Sequence, residues 1–131
     1  MADPALRHEP PDIVRRTFEF AVRIVRLCRY LEKKSGVPKN MIWQLAAAGT
    51  SVGANVEEGQ AAQSKPDFIT KYSIAQKEAR ESAYFLRVFI ASGLLSVKQA
   101  SALVDEANQL AAILASSIVT ARRNLKNESR P

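Results

Sequence analysis

Few residues in this 131-residue chain are equipped for bond-making chemistry. Its one histidine, His8, stands in the proline-rich opening "MADPALRHEPPD", and its one cysteine, Cys28, falls in an apolar helical pattern. A carboxylate-bridged di-iron centre needs Glu-x-x-His pairs projecting inward from helices. No helical segment here carries a histidine, which argues against that chemistry. A thiol nucleophile needs a base beside it, and Cys28 has no helical histidine to serve. It reads instead as a small core residue. A lone cysteine also leaves no internal disulfide and no CxxC metal site, and it suits a reducing compartment. Gly49, Gly53 and Gly59 match neither GxxxxGK[ST] nor a GxGxxG turn after a strand, so no phosphate loop is present. The expectation is a non-enzymatic protein with no cofactor and no metal.

Two sets of residues can act without making bonds. Ser51, Asn55 and Glu58 succeed one another at four- and three-residue spacing, so they share a helical face that adjoins an apolar seam. Buried, they need partners, and Arg80, Glu81 and Tyr84 in "KEARESAYFL" are the candidates for a polar network that fixes register or subunit packing. The second set is basic. Arg15, Arg16, Arg23, Arg26, Arg29, Lys33 and Lys34 fall in one arc of a helical wheel. With 19 Lys and Arg against 13 Asp and Glu the net charge is +6, which permits an anionic partner. Such a face can follow a phosphate backbone without reading sequence. Nothing aromatic is obviously placed for base stacking, so binding is expected to be weakly specific. The alternatives are a solvated face that keeps an oligomer soluble, and a protein–protein adaptor with no nucleic-acid role.

These residues need helices to position them. Pro10 and Pro11 break the opening stretch, and Asp12 can start a helix that runs to about Lys34, where Gly36 and Pro38 end it. Its apolar stripe is Ile13, Phe20, Ile24, Leu27 and Leu31, with Val14, Phe18, Ala21, Val25 and Cys28 beside it. A second helix runs from near Pro38 to about Ala62 with Ile42, Leu45, Gly49, Val52, Val56 and Gly59 on its seam. Ser64, Pro66 and Asp67 open a third, which Gly93 stops near Ser92. Ser96 with Gln99 forms a capping box for the fourth, whose stripe reads Val97, Ala100, Val104, Ala107, Ala111, Leu114, Ile118, Ala121 and Leu125.

Short connections make neighbouring helices antiparallel, and no segment alternates at period two. The fold class is therefore all-α, an up-down-up-down four-helix bundle over residues 12–126, with flexible tails at 1–11 and 127–131. If the second and third helices turn back about residues 63–65, Gly53 faces Ala75, Gly49 faces Ala79 and Ala46 faces Ser82. Small residues along that seam let two backbones approach, which offsets the helix cost of each glycine. Arg122, Arg123 and Lys126 are expected at the same pole as Arg15 and Arg16. The opening stretch lacks a signal peptide's apolar run, and "LAAILASSIVTA" is short for a bilayer, so a cytoplasmic protein without a membrane partner is expected.

"WQLAAAGTSVGANVEEGQAAQSKPDF" together with "SIAQKEARESAYFLRVFIASGLL" resembles the four-helix bundle proteins that include the 23S rRNA intervening-sequence proteins, related in turn to the accessory variability proteins of diversity-generating retroelements. The resemblance spans about residues 12 to 125. "SVGANVEEG" is its most specific segment, where Ser51, Gly53, Asn55, Glu58 and Gly59 meet the family pattern, and Ser64, Phe68, Glu81, Tyr84 and Gly93 also fit. Glu78 departs from it, standing where relatives commonly carry a small residue. The resemblance implies a homopentameric barrel of bundles. It also implies a basic surface for RNA or DNA and, in the retroelement branch, a reverse transcriptase as partner.

Overall fold

The structure, a computed structural model, describes residues 12–129. It contains α1 (Asp12–Lys33), α2 (Lys39–Gln60), α3 (Lys65–Ala91) and α4 (Val97–Glu128). No strand occurs among the described residues. The tail expected at 1–11 lies outside them, as do positions 130 and 131, and α4 continues past Lys126 to Glu128.

The helix boundaries follow local chemistry. The Asp67 backbone N–H donates to Ser64 Oγ at 3.2 Å, which satisfies one of the donors left over at the start of α3. Ser96 and Gln99 exchange hydrogen bonds in both directions, Gln99 N–H to Ser96 Oγ at 3.1 Å and Ser96 N–H to Gln99 Oε1 at 2.8 Å. Gly93 takes φ +80°, a left-handed conformation that costs glycine nothing, and the N–H groups of Leu94 and Leu95 both turn back to the Phe89 carbonyl. That turn carries Leu95 into the core.

Consecutive helices pack on one another, and α1 closes the bundle against α4 along the thinnest seam. Phe20, Ile24 and Leu31 from α1 meet Leu45, Val52 and Val56 from α2, Tyr72, Leu86 and Phe89 from α3, and Leu110 and Leu114 from α4. Each such aliphatic or aromatic side chain contributes about 1.5–3 kcal/mol by leaving water. Two polar residues, Thr17 and Ser82, are also fully buried, and each hydroxyl donates to a carbonyl of its own helix, Val14 O at 3.1 Å and Glu78 O at 2.8 Å. Cys28 is buried as a core residue, with its thiol pushed up to about 11 by desolvation and, secondarily, by the Glu32 carboxylate.

Two packing expectations are corrected. On α4 the buried stripe is Ala100, Leu103, Ala107, Leu110, Leu114, Ile118 and Ala121, whereas Val97 is 65% exposed and Val104, Ala111 and Leu125 are only half-buried. Leu103 and Leu110 carry more apolar surface than Val104 and Ala111, so the helix turns to bury them. The glycines also face elsewhere. A Cβ built at Gly49 would meet Ile24 at 2.7 Å, and one at Gly53 would meet the Thr17 backbone oxygen at 3.2 Å, so these two bring α2 close to α1 rather than to Ala79 and Ala75 of α3. Only Gly59 faces α3, where its Cβ would lie 2.7 Å from the Tyr72 ring. By length and composition α4 is apolar enough to cross a bilayer. Its leucine stripe is spent instead on the bundle core.

Candidate nucleic-acid interface

The amphipathic division of α1 sets its chemistry. Once Phe20, Ile24, Cys28 and Leu31 are committed to the core, Arg23, Arg26, Arg29 and Lys33 have only the outer face left, and all four are exposed. None enters an ion pair seen among the described residues. Arg15 is exposed at the start of the same face. The result is a line of cations along one rod. Spaced at three or four residues, such cations rise about 5 Å per step, a spacing that lets several contact successive phosphates of a strand.

Arg16 leaves that line. Its guanidinium donates from Nε to Glu106 Oε2 at 3.1 Å and from Nη2 to Glu106 Oε1 at 2.6 Å, with a further bond from Nη2 to Gln109 Oε1 at 3.2 Å. This two-pronged, partly buried contact ties α1 to α4 across their thin seam. Arg16 is therefore a packing residue. The same contact fixes the register, and with it corrects the expected cationic pole. From Gln109 to Arg122 is about 20 Å of helix at 1.5 Å per residue. Arg122, Arg123 and Lys126 are exposed, but they lie that far beyond Arg15 and Arg16 because α4 outlasts α1.

The motif residues of α2 and α3 do not assemble into the expected network. The hydroxyl of Ser51 donates to the Ala47 carbonyl at 2.7 Å, and Asn55 Nδ2 donates to the Ser51 carbonyl at 2.9 Å, so both close on their own helix. Glu58 is exposed, and Tyr84 is 58% exposed with its ring edge-on to Phe85. Backbone acceptors within reach satisfy the Ser51 hydroxyl and the Asn55 amide N–H, and the exposed Glu58 and Tyr84 can be served by water, so none of them requires a partner on α3. Ser51 does share a shallow groove with Glu78 and Glu81, whose rim carries Trp43, 71% exposed. The Glu78 carboxyl is held above its usual range, first by desolvation and then by the Glu81 charge. This groove is acidic and aromatic, the opposite of α1.

Among the described residues no group of three histidine, cysteine or acidic side chains is arranged to hold a metal ion. Sequence reasoning missed one further feature. Phe68 and Lys65 of α3 line an open groove of about 460 Å³ with Ser116, Ser117, Thr120, Ala121 and Asn124 of α4. The hydroxyl pattern of "SSIVTARRN" was visible, but its meeting with Phe68 depends on the packing of α3 against α4.

The sequence matches the 23S rRNA-intervening sequence protein family over residues 10–116. No curated protein matches it. Among solved structures it is similar to a protein of unknown function from the S23 ribosomal protein family of Bacteroides thetaiotaomicron. That likeness has a TM-score of 0.77 at 36% sequence identity, covering 81% of this chain and 97% of the other. The matched span takes in α1, α2, α3 and most of α4, so the cationic rod and the glycine-mediated contact between α1 and α2 both lie within the shared fold. The chain belongs to the 23S rRNA-intervening sequence protein family.

Proposed function

We propose that the protein is a non-enzymatic oligomeric scaffold that binds RNA or DNA through its basic surface with little sequence preference. The observation that supports this reading is the exposed row Arg23, Arg26, Arg29 and Lys33, left without carboxylate partners among the described residues on a helix whose other face is committed to the core. Holding like charges together costs repulsion, and an anionic polymer relieves it by displacing counterions from phosphates. Five such rows in a pentamer would act together, since each bound contact raises the effective concentration of the next. Apolar residues that a single bundle leaves in water, Phe18, Val25 and Trp43 among them, support self-association.

The test is a mobility shift with protein freed of co-purified nucleic acid. A shift with both RNA and DNA at low salt, abolished by Arg23→Glu with Arg26→Glu while the oligomer is unchanged, supports the reading. No shift at low salt overturns it. The adaptor reading draws on the groove of Trp43, Glu78 and Glu81, which suits a basic protein segment, such as one on a reverse transcriptase, better than a nucleic acid.

A further inference from the structure

The groove between α3 and α4 lies along the part of α4 that continues past its contact with Arg16 of α1. Arg16 fixes the start of α1 beside Glu106 and Gln109, and α4 continues for about 28 Å beyond Gln109. Ser117, Thr120 and Asn124 continue, at helical spacing, the face that α1 covers lower down. Beyond the contact of α4 with Arg16, that face and the first turn of α3 border an open groove of about 460 Å³, within the size range of small-ligand sites.

Its walls are chemically divided. Phe68 and Ala121 are apolar, Ser116, Ser117, Thr120 and Asn124 offer hydroxyls and an amide, and Lys65 supplies a cation. Among the described residues the only hydrogen bond made by those four polar side chains is Ser117 Oγ to the Ile113 carbonyl, 3.1 Å. Phe68 is already braced. Its ring centroid is 4.0 Å from that of Tyr72 at a tilt of 31°, and Tyr72 is fully buried with its hydroxyl held by Gln60. A flat apolar face fixed in this way accepts a planar ring at little cost in side-chain freedom. Arg123 follows Ser116 and Thr120 at helical spacing, so this exposed residue stands at the edge of the same helix face.

We propose that this groove takes an unpaired nucleobase of a single strand, stacked on Phe68, with Asn124 and the hydroxyls at the base edge and the adjoining phosphate between Lys65 and Arg123. The proposal rests on the nucleic-acid reading above and adds to it a preference for single strands, because a duplex hides its base faces. Lys65 meets Glu128 at the rim, and an exposed pair of this kind holds weakly enough for a phosphate to replace the carboxylate.

The experiment compares a labelled short single strand with its duplex, at low salt, using full-length protein freed of nucleic acid. Single strand should bind more tightly. Phe68→Leu, which keeps the apolar volume and removes the stacking face, and Asn124→Ala on the exposed rim should each weaken single-strand binding about fivefold or more with duplex binding unchanged. Glu128→Gln, by releasing Lys65, should strengthen it. Equal, salt-sensitive affinity for both forms, or a preference that survives both weakening variants, overturns the pocket and leaves the basic row standing. Displacement of the strand by a mononucleotide at equal concentration overturns the assignment to a strand. Absence of binding to either form overturns both proposals at once.

Discussion

A methyl group at position 49 would sit 2.7 Å from Ile24 Cγ2 and 2.8 Å from Cγ1, whereas one at position 53 would meet the Thr17 carbonyl at 3.2 Å. Ile24 is fully buried and β-branched, so it has no alternative rotamer to adopt. Gly49→Ala should therefore destabilise by about 1–3 kcal/mol despite alanine's better helix propensity. At Gly53 a shift of α1 by a few tenths of an ångström is set against a propensity gain of about 1 kcal/mol, and Gly53→Ala should be close to neutral. Denaturant melts of the two variants check the order, and a Gly53→Ala protein less stable than Gly49→Ala would contradict it. Glu78 supplies a second residue-scale test. Burial and Glu81 hold its carboxyl above the usual range, so the folded state binds the proton more tightly than the unfolded chain. The associated stability is present in acid and is lost as pH rises through the folded value. Glu78→Gln should raise the melting temperature at neutral pH, with the gain fading at acid pH where the wild-type residue is already neutral.

At the scale of the helix, caps and contacts that cross the bundle divide the work. Ser96→Ala removes half of a reciprocal capping box and should cost about 1 kcal/mol, read from thermal unfolding. Arg16→Ala removes the two-pronged bond to Glu106 on the thin seam between α1 and α4, and a loss of about 1 kcal/mol is expected there too. The two losses should add in the double variant, since the sites share no partner. Helix ends were legible because their signals are local. Ser64, Ser96 and Gly93 act within a few residues of themselves. Helix rotation was not legible, because α4 offers two adjacent apolar stripes and only the packed partners choose Leu103 and Leu110 over Val104 and Ala111. Nor was register. The separation of Arg122 from Arg16 follows from α4 outlasting α1, a relation set by packing between distant segments. The basic row of α1 was legible because one helix carries all of it. The groove at Phe68 was not, because two helices share it.

For the whole molecule, the exposed apolar residues bear on assembly and the exposed cations on the ligand. Light scattering should give a mass near five chains, and a monodisperse monomer at micromolar concentration would contradict the oligomeric scaffold. The most direct test of the central claim is the salt dependence of RNA binding by protein stripped of nucleic acid, wild type beside Arg23→Glu with Arg26→Glu. Each phosphate neutralised on a single strand contributes about −0.7 to the slope of log K against log salt concentration. With the four exposed cations of the row from Arg23 to Lys33 on each copy of α1, the wild type should show a slope steeper than about −2, and the charge-reversed protein a markedly shallower one with weaker binding. A wild-type slope near zero, or an unchanged slope and affinity after reversal, would show that α1 is a solvated face and not the surface that holds nucleic acid.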